Sequence, residues 1–127
     1  MKDSLRILVL DDEWLILRAL AMILAAHNHH VETFDSVDDA ISRIRSEEPI
    51  DVAIVDFMLH DSVDGLDVIA TLQEHSRDTG VILMSGLPES SVMPAASKIP
   101  GCTFLKKPFA STAVLDIVRQ TMERSRS

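Results

Sequence analysis

Along the chain, short apolar runs alternate with longer stretches in which apolar residues recur every three or four positions. Five runs, at residues 7–10, 31–34, 52–55, 81–84 and 102–105, are too short for helices. Several are rich in β-branched residues, so each predicts a buried strand. The stretches between them, at 14–26, 37–45, 66–75, 90–98 and 112–124, carry helical spacing. Strand and helix thus alternate five times. Continuous apolar strands with no two-residue hairpin turn are the pattern of a parallel sheet covered on both faces. The expected fold is α/β, a doubly wound (βα)5 sandwich with right-handed crossovers; if its five parallel strands run in the order 2-1-3-4-5, strands 1 and 3 meet at the switch point.

Local signals mark the boundaries. Ser36 precedes the second helix with Asp39 three residues on, an aspartate version of the capping box, and Ser111 can cap the last helix. Pro94 falls inside the fourth helical stretch, so that helix is expected to be short or kinked. The polar tail 124–127 is expected to fray, and the chain reads as one domain, residues 1–127, with a core over about 6–122.

Composition narrows the function classes. A chain of 127 residues, 46% hydrophobic and 25% charged, has an ordinary globular balance and room for one domain. With 20 acidic against 12 basic side chains, the net charge of −8 repels phosphate backbones and anionic lipid, which excludes direct nucleic-acid or membrane-surface binding. The longest apolar stretch, 19–26, is far short of the roughly 18 to 20 residues of a membrane span. The lone Cys102 cannot form an internal disulfide, and a cytoplasmic location is expected.

Chemistry collects where the strands end. Asp11 and Asp12 follow the first apolar run, Asp56 the third, Ser85 the fourth and Lys107 the fifth. In a parallel sheet these ends share one edge, and ligands bind there at the switch point between strands 1 and 3. Three carboxylates converging at that point repel one another unless a cation or proton intervenes. Oxygen donors without a nearby His or Cys suit Mg²⁺. A hydroxyl (Ser85) and an amine (Lys107) on the adjoining strands then face an anion, which suits stabilisation of a phosphoryl group against Asp56. The Lys107–Pro108 bond admits either isomer.

These residues resemble the receiver domain of two-component response regulators. The resemblance spans about residues 6–122 and rests on four motifs in order: Ile7-Leu8-Val9-Leu10-Asp11-Asp12-Glu13, Val52-Ala53-Ile54-Val55-Asp56, Met84-Ser85-Gly86 and Phe104-Leu105-Lys106-Lys107-Pro108-Phe109. It implies a flavodoxin-like fold and a phosphorelay switch rather than a turnover enzyme. Asp56 would accept a phosphoryl group from a phosphohistidine on a sensor histidine kinase or histidine phosphotransfer protein, then lose it slowly. Mg²⁺, with Mn²⁺ as a substitute, would be held by Asp12, Asp56 and the backbone carbonyl of Met58, and by Asp11 through water. Ser85 would be drawn toward the phosphoryl oxygens while Phe104 turns inward, altering the surface around helix 4, strand 5 and helix 5.

The chain departs from the family pattern in the loop 58–64. His60 stands where receivers usually carry proline, and Gly65 comes one residue later than is common. His60 reads first as a surface loop residue; in the alternative reading its imidazole lies beside the acceptor and tunes acyl-phosphate lifetime. Two other classes fit less well. A phosphatase of the haloacid dehalogenase type wants a second aspartate two residues after the nucleophile, where Met58 stands. A flavin carrier wants a phosphate-cradling loop after the first strand, where Asp11-Asp12-Glu13 would repel the phosphate.

His27, His29 and His30 lack an acid or cysteine at ligand spacing and are not read as a metal site. Lys106 reads as a solvated neighbour of Lys107. The first helix carries a core stripe of Ile16, Ala19, Leu20, Ile23 and Leu24 and a second of Trp14, Leu17, Ala21, Met22 and Ala25. Exposure of the second stripe would make it a docking face for a kinase helix bundle or for a second copy of the chain, a homodimer through helix 1.

Overall fold

The computed structural model describes residues 4–59 and 65–125, so His60 and most of the loop that departs from the family pattern lie outside the described residues. Five strands, β1 (Arg6–Leu10), β2 (His30–Phe34), β3 (Val52–Asp56), β4 (Gly80–Ser85) and β5 (Thr103–Lys106), alternate with five helices, α1 (Trp14–Ala25), α2 (Val37–Arg45), α3 (Gly65–His75), α4 (Glu89–Ala96) and α5 (Ser111–Ser125). All pairings are parallel, as the alternation of runs predicts, and the order is β2-β1-β3-β4-β5, that of the expected doubly wound fold.

The period-two alternation of strand side chains divides the core in two. Leu8, Leu10, Ala53, Val55, Val81 and Leu83 face α2, α3 and α4, where Ala40, Ile44, Val68, Leu72 and Val92 meet them. Ile7, Val9, Val52, Ile54, Ile82 and Met84 face α1 and α5, against Leu20, Leu24, Val114 and Val118. Each fully buried aliphatic side chain contributes about 1.5–3 kcal/mol. The whole of β3 and β4 is buried, so these strands are the least movable part of the sheet.

Several boundaries differ from the sequence expectation for identifiable reasons. The second apolar run is a half-exposed edge strand, because β2 has a neighbour on one side only. Cys102 lies just before β5, its amide bonded to Ile99 O at 3.2 Å. The fourth helix ends at Ala96, two residues early: Lys98 N bonds Ala95 O and Ile99 N bonds Ala96 O, tight turns that close the helix. Pro94 sits within it, so its missing N–H leaves one bond of an eight-residue helix unmade. Ser36 caps α2, its Oγ accepting from Asp39 N at 3.3 Å. Ser111 instead stands inside α5, whose first bond runs from Val114 N to Ala110 O.

In α1 the apolar stripes divide differently. At about 100° per residue, Leu17 falls within about 60° of both Leu20 and Leu24 on the buried face and belongs to the core. Trp14, Leu15 and Met22 remain 65%, 64% and 64% exposed, so a solvent-facing apolar patch does exist on this helix.

Candidate functional site

Register decides what meets at the carboxyl edge of the sheet. Leu10 pairs with Phe34 and Val55, Asp56 with Met84, and Ser85 with Lys106, so the residues at these strand ends emerge side by side. Asp11 leaves β1 with its amide bonded to Phe34 O at 3.1 Å, and its Oδ1 accepts from Glu13 N at 2.8 Å, which turns the chain into α1. Its side chain is completely buried. Asp12 is half-buried at the rim.

Asp56 ends β3, 5% exposed, and its Oδ1 accepts a long bond from Met58 N at 3.4 Å. Ser85 ends β4; its Oγ accepts from Leu87 N at 2.9 Å and its carbonyl accepts from Lys107 N at 2.8 Å. The second of these bonds delivers Lys107 to the cleft, where Nζ lies 2.6 Å from Asp11 Oδ2 and 3.4 Å from Asp56 Oδ2. The Lys107–Pro108 bond is cis. Asp12, Glu13, Asp56, Met58, Ser85, Gly86, Leu87 and Lys107 line one open cleft, with Asp11 beneath it. Phe104 lies apart, half-buried against the core on the α4 side and paired with Leu83.

Burial dominates the electrostatics. Desolvation, and then the neighbouring Asp11 charge, push the Asp56 carboxyl up to about 6, more than Lys107 and the Met58 amide pull it down. Burial likewise raises Asp11 against the opposing contact with Lys107. For Lys107, burial disfavours the ammonium, yet its contact with Asp11 and the charges of Asp56 and Glu13 outweigh that and raise it overall. One ammonium therefore serves an acidic cluster that it does not neutralise.

The donor set fits a hard divalent cation. Asp11, Asp12 and Asp56 each offer a carboxylate oxygen, all within 4.8 Å of one another. The buried Asp11 Oδ2 touches the Lys107 ammonium but has no aligned hydrogen-bond donor. Carboxylate oxygens with unmet charge, and no His or Cys among them, can bind a metal of the Mg²⁺ or Mn²⁺ class.

Two residues make contacts here that the sequence pattern did not foretell. Gly65 opens α3 against the end of β3, where a Cβ would collide with the carbonyl oxygen of Asp56. Lys106, expected to be merely solvated, donates from Nζ to Gly86 O in the turn after Ser85. Only the β4–β5 register could have signalled it, because it sets Lys106 beside Ser85. His27, His29 and His30 form no metal cluster among the described residues; His29 Nδ1 instead accepts from Leu5 N at 3.1 Å.

Comparison with known proteins agrees with this geometry. The chain is 30% identical over 109 residues to the acid tolerance regulatory protein ActR of Rhizobium meliloti (strain 1021), covering 86% of this chain and 55% of ActR. It is 28% identical over 123 residues to the response regulator MprA of Mycobacterium bovis (strain BCG / Pasteur 1173P2), covering 97% of this chain and 53% of MprA. The chain thus spans about half the length of these curated relatives. A response regulator receiver protein from Sinorhizobium medicae WSM419 has the same fold, with a TM-score of 0.84, 24% identity, and 97% and 98% of the two chains covered. The response regulator receiver domain profile matches residues 7–119, and with the acidic trio, hydroxyl and lysine of that family converging at one sheet edge, the chain belongs to the response regulator receiver domain family.

Proposed function

We propose that Asp56 is the phosphoacceptor of a phosphorelay, taking a phosphoryl group from a phosphohistidine on a sensor histidine kinase or a histidine phosphotransfer protein. The observation that carries this reading is the placement of Asp56 at the floor of the cleft, within 3.4 Å of the Lys107 ammonium and in the same lining as Ser85. An Asp56 oxygen attacks phosphorus, the P–N bond to the donor imidazole breaks, and the imidazole leaves with a proton. Lys107 and the Ser85 hydroxyl supply a cation and a donor for the phosphoryl oxygens as charge develops on them.

Mg²⁺ is the proposed metal, held by Asp12, Asp56 and the Met58 carbonyl, with Asp11 acting through water; when bound it screens the carboxylates from the incoming phosphoryl group. The chain catalyses its own phosphorylation and slow dephosphorylation, which makes it a switch within one receiver domain rather than a turnover enzyme. Phe104, half-buried beside the α4 core, is proposed to turn inward when Ser85 moves, and so to carry the change to the α4, β5 and α5 face that controls a downstream protein or a linked domain. The exposed Trp14, Leu15 and Met22 of α1 offer a docking face for the phosphodonor's helices or for a second copy of the chain. No described helix is long and apolar enough to cross a membrane, in keeping with a proposed cytoplasmic site of action.

The test is intact mass after incubation with acetyl phosphate and Mg²⁺, with and without a chelator, on the chain and on Asp56→Asn. One phosphoryl group gained only with metal and only with Asp56 is expected. A gain of equal size in Asp56→Asn would remove the acceptor assignment.

A further inference from the structure

The turn that follows Ser85 is held from two sides. From within, Leu87 N donates to Ser85 Oγ at 2.9 Å, so the hydroxyl is engaged by its own turn. From the neighbouring strand, Lys106 Nζ donates to the carbonyl of Gly86, the residue between them. Lys106 ends β5 in register with Ser85, and the Lys107 N to Ser85 O bond at 2.8 Å closes the ladder beside it. Gly86 is exposed, and nothing lies within 4 Å of where its Cβ would stand, so packing does not hold this residue. Its restraint comes from hydrogen bonds, and the one from Lys106 is charge-assisted.

We propose that Lys106 is a positioning residue: by clamping the Gly86 carbonyl it keeps the β4–α4 turn, and with it the Ser85 hydroxyl, in the Leu87-bonded arrangement, and so restrains phosphorylation at Asp56. This deepens the proposed function and rests on it. A phosphoryl group on Asp56 needs the Ser85 hydroxyl turned toward it, and the turn that carries the hydroxyl must yield. The net contribution of a single solvent-exposed hydrogen bond is modest, so its loss should alter the rate severalfold rather than by orders of magnitude.

The test compares the chain with Lys106→Met, which keeps the stem and loses the donor, and Lys106→Arg, which keeps a cationic donor. Two quantities are read: the exchange rate of the Leu87 amide, and the rate of mass gain from acetyl phosphate with Mg²⁺. In Lys106→Met the Leu87 amide should exchange about threefold to tenfold faster and phosphorylation should quicken by a similar factor, with Lys106→Arg returning both toward the original values. Losing a cation at the cleft mouth slows the arrival of an anionic donor, so quickening would run against the charge effect and point to the released turn. Unchanged Leu87 exchange, or phosphorylation no faster in Lys106→Met, would overturn the proposal. If the unaltered chain gains no mass at all, the phosphoacceptor reading fails, while Leu87 exchange still decides whether Lys106 holds the turn.

Discussion

Lys107 Nζ stands closer to Asp11, at 2.6 Å, than to Asp56, at 3.4 Å. The ammonium thus pairs chiefly with the carboxylate beneath the cleft and leaves the carboxylate on its floor undercompensated. This unequal sharing explains why Asp56 is pushed up to about 6 with a lysine beside it, since burial and the Asp11 charge act against a cation that is largely engaged elsewhere.

The first prediction follows from that value. In the folded chain without metal Asp56 titrates near 6, against 3.8 when unperturbed, so its ionisation destabilises the fold above pH 6 and the penalty vanishes below about pH 4. At pH 7.5 with a chelator, Asp56→Asn should be more stable than the original chain by on the order of 3 kcal/mol, at about 1.4 kcal/mol per pKa unit. The gap should close as the pH falls to 4. Urea unfolding at a series of pH values measures it, and a gap that stays constant with pH would show that Asp56 ionisation is not its source.

A divalent cation should remove the same strain by binding. Adding Mg²⁺ at pH 7.5 is expected to raise the melting temperature progressively with its concentration, the added stability reaching about 2.7 kcal/mol at a hundred times the dissociation constant. Asp12→Asn should weaken this effect, because that acid is one of the three that can ligate the ion. A melting temperature indifferent to Mg²⁺ and Mn²⁺ in the unaltered chain would count against a metal site.

Gly65→Ala tests the contact between α3 and Asp56. The added Cβ would meet the Asp56 carbonyl oxygen and the Val55 side chain, so α3 must shift away from the buried end of β3. Overpacking of this kind costs about 1–3 kcal/mol. The expected result is a lower urea midpoint together with slower phosphorylation from acetyl phosphate. Equal stability of the two chains would mean that α3 can move without strain.

At the opposite edge of the sheet, His29 makes a pH-sensitive link. Its Nδ1 accepts from Leu5 N, which requires an unprotonated nitrogen, and burial followed by the charge of His27 holds its pKa below 6.5. Stability from this bond is present above pH 6.5 and lost as the pH falls through the lowered value. His29→Asn, whose Oδ1 can accept the same bond at any pH, should lose less stability between pH 7.5 and 5.5 than the unaltered chain does. Parallel pH profiles for the two proteins would refute the link.

Two-sided coverage and the identity of the cleft residues were legible in the sequence, because each rests on a local pattern, whereas strand order came with the flavodoxin-like fold that the family resemblance implies. Continuous β-branched runs require burial on both faces, and a polar residue directly after such a run has to emerge at the strand end. Asp11, Asp12, Asp56, Ser85 and Lys107 could therefore be named before any distance was known. Tertiary structure alone decided what depends on register and on competition between neighbours. It assigned Leu17 to the core, left Trp14 exposed, ended α4 at Ala96, gave Lys107 chiefly to Asp11 and bound Lys106 to Gly86. The physical reason is that apolar periodicity records how much of a segment is buried, whereas the partner of a charge or a backbone carbonyl is set by groups far away in the chain, which only the pairing of β4 with β5 and of β1 with β3 brings within reach.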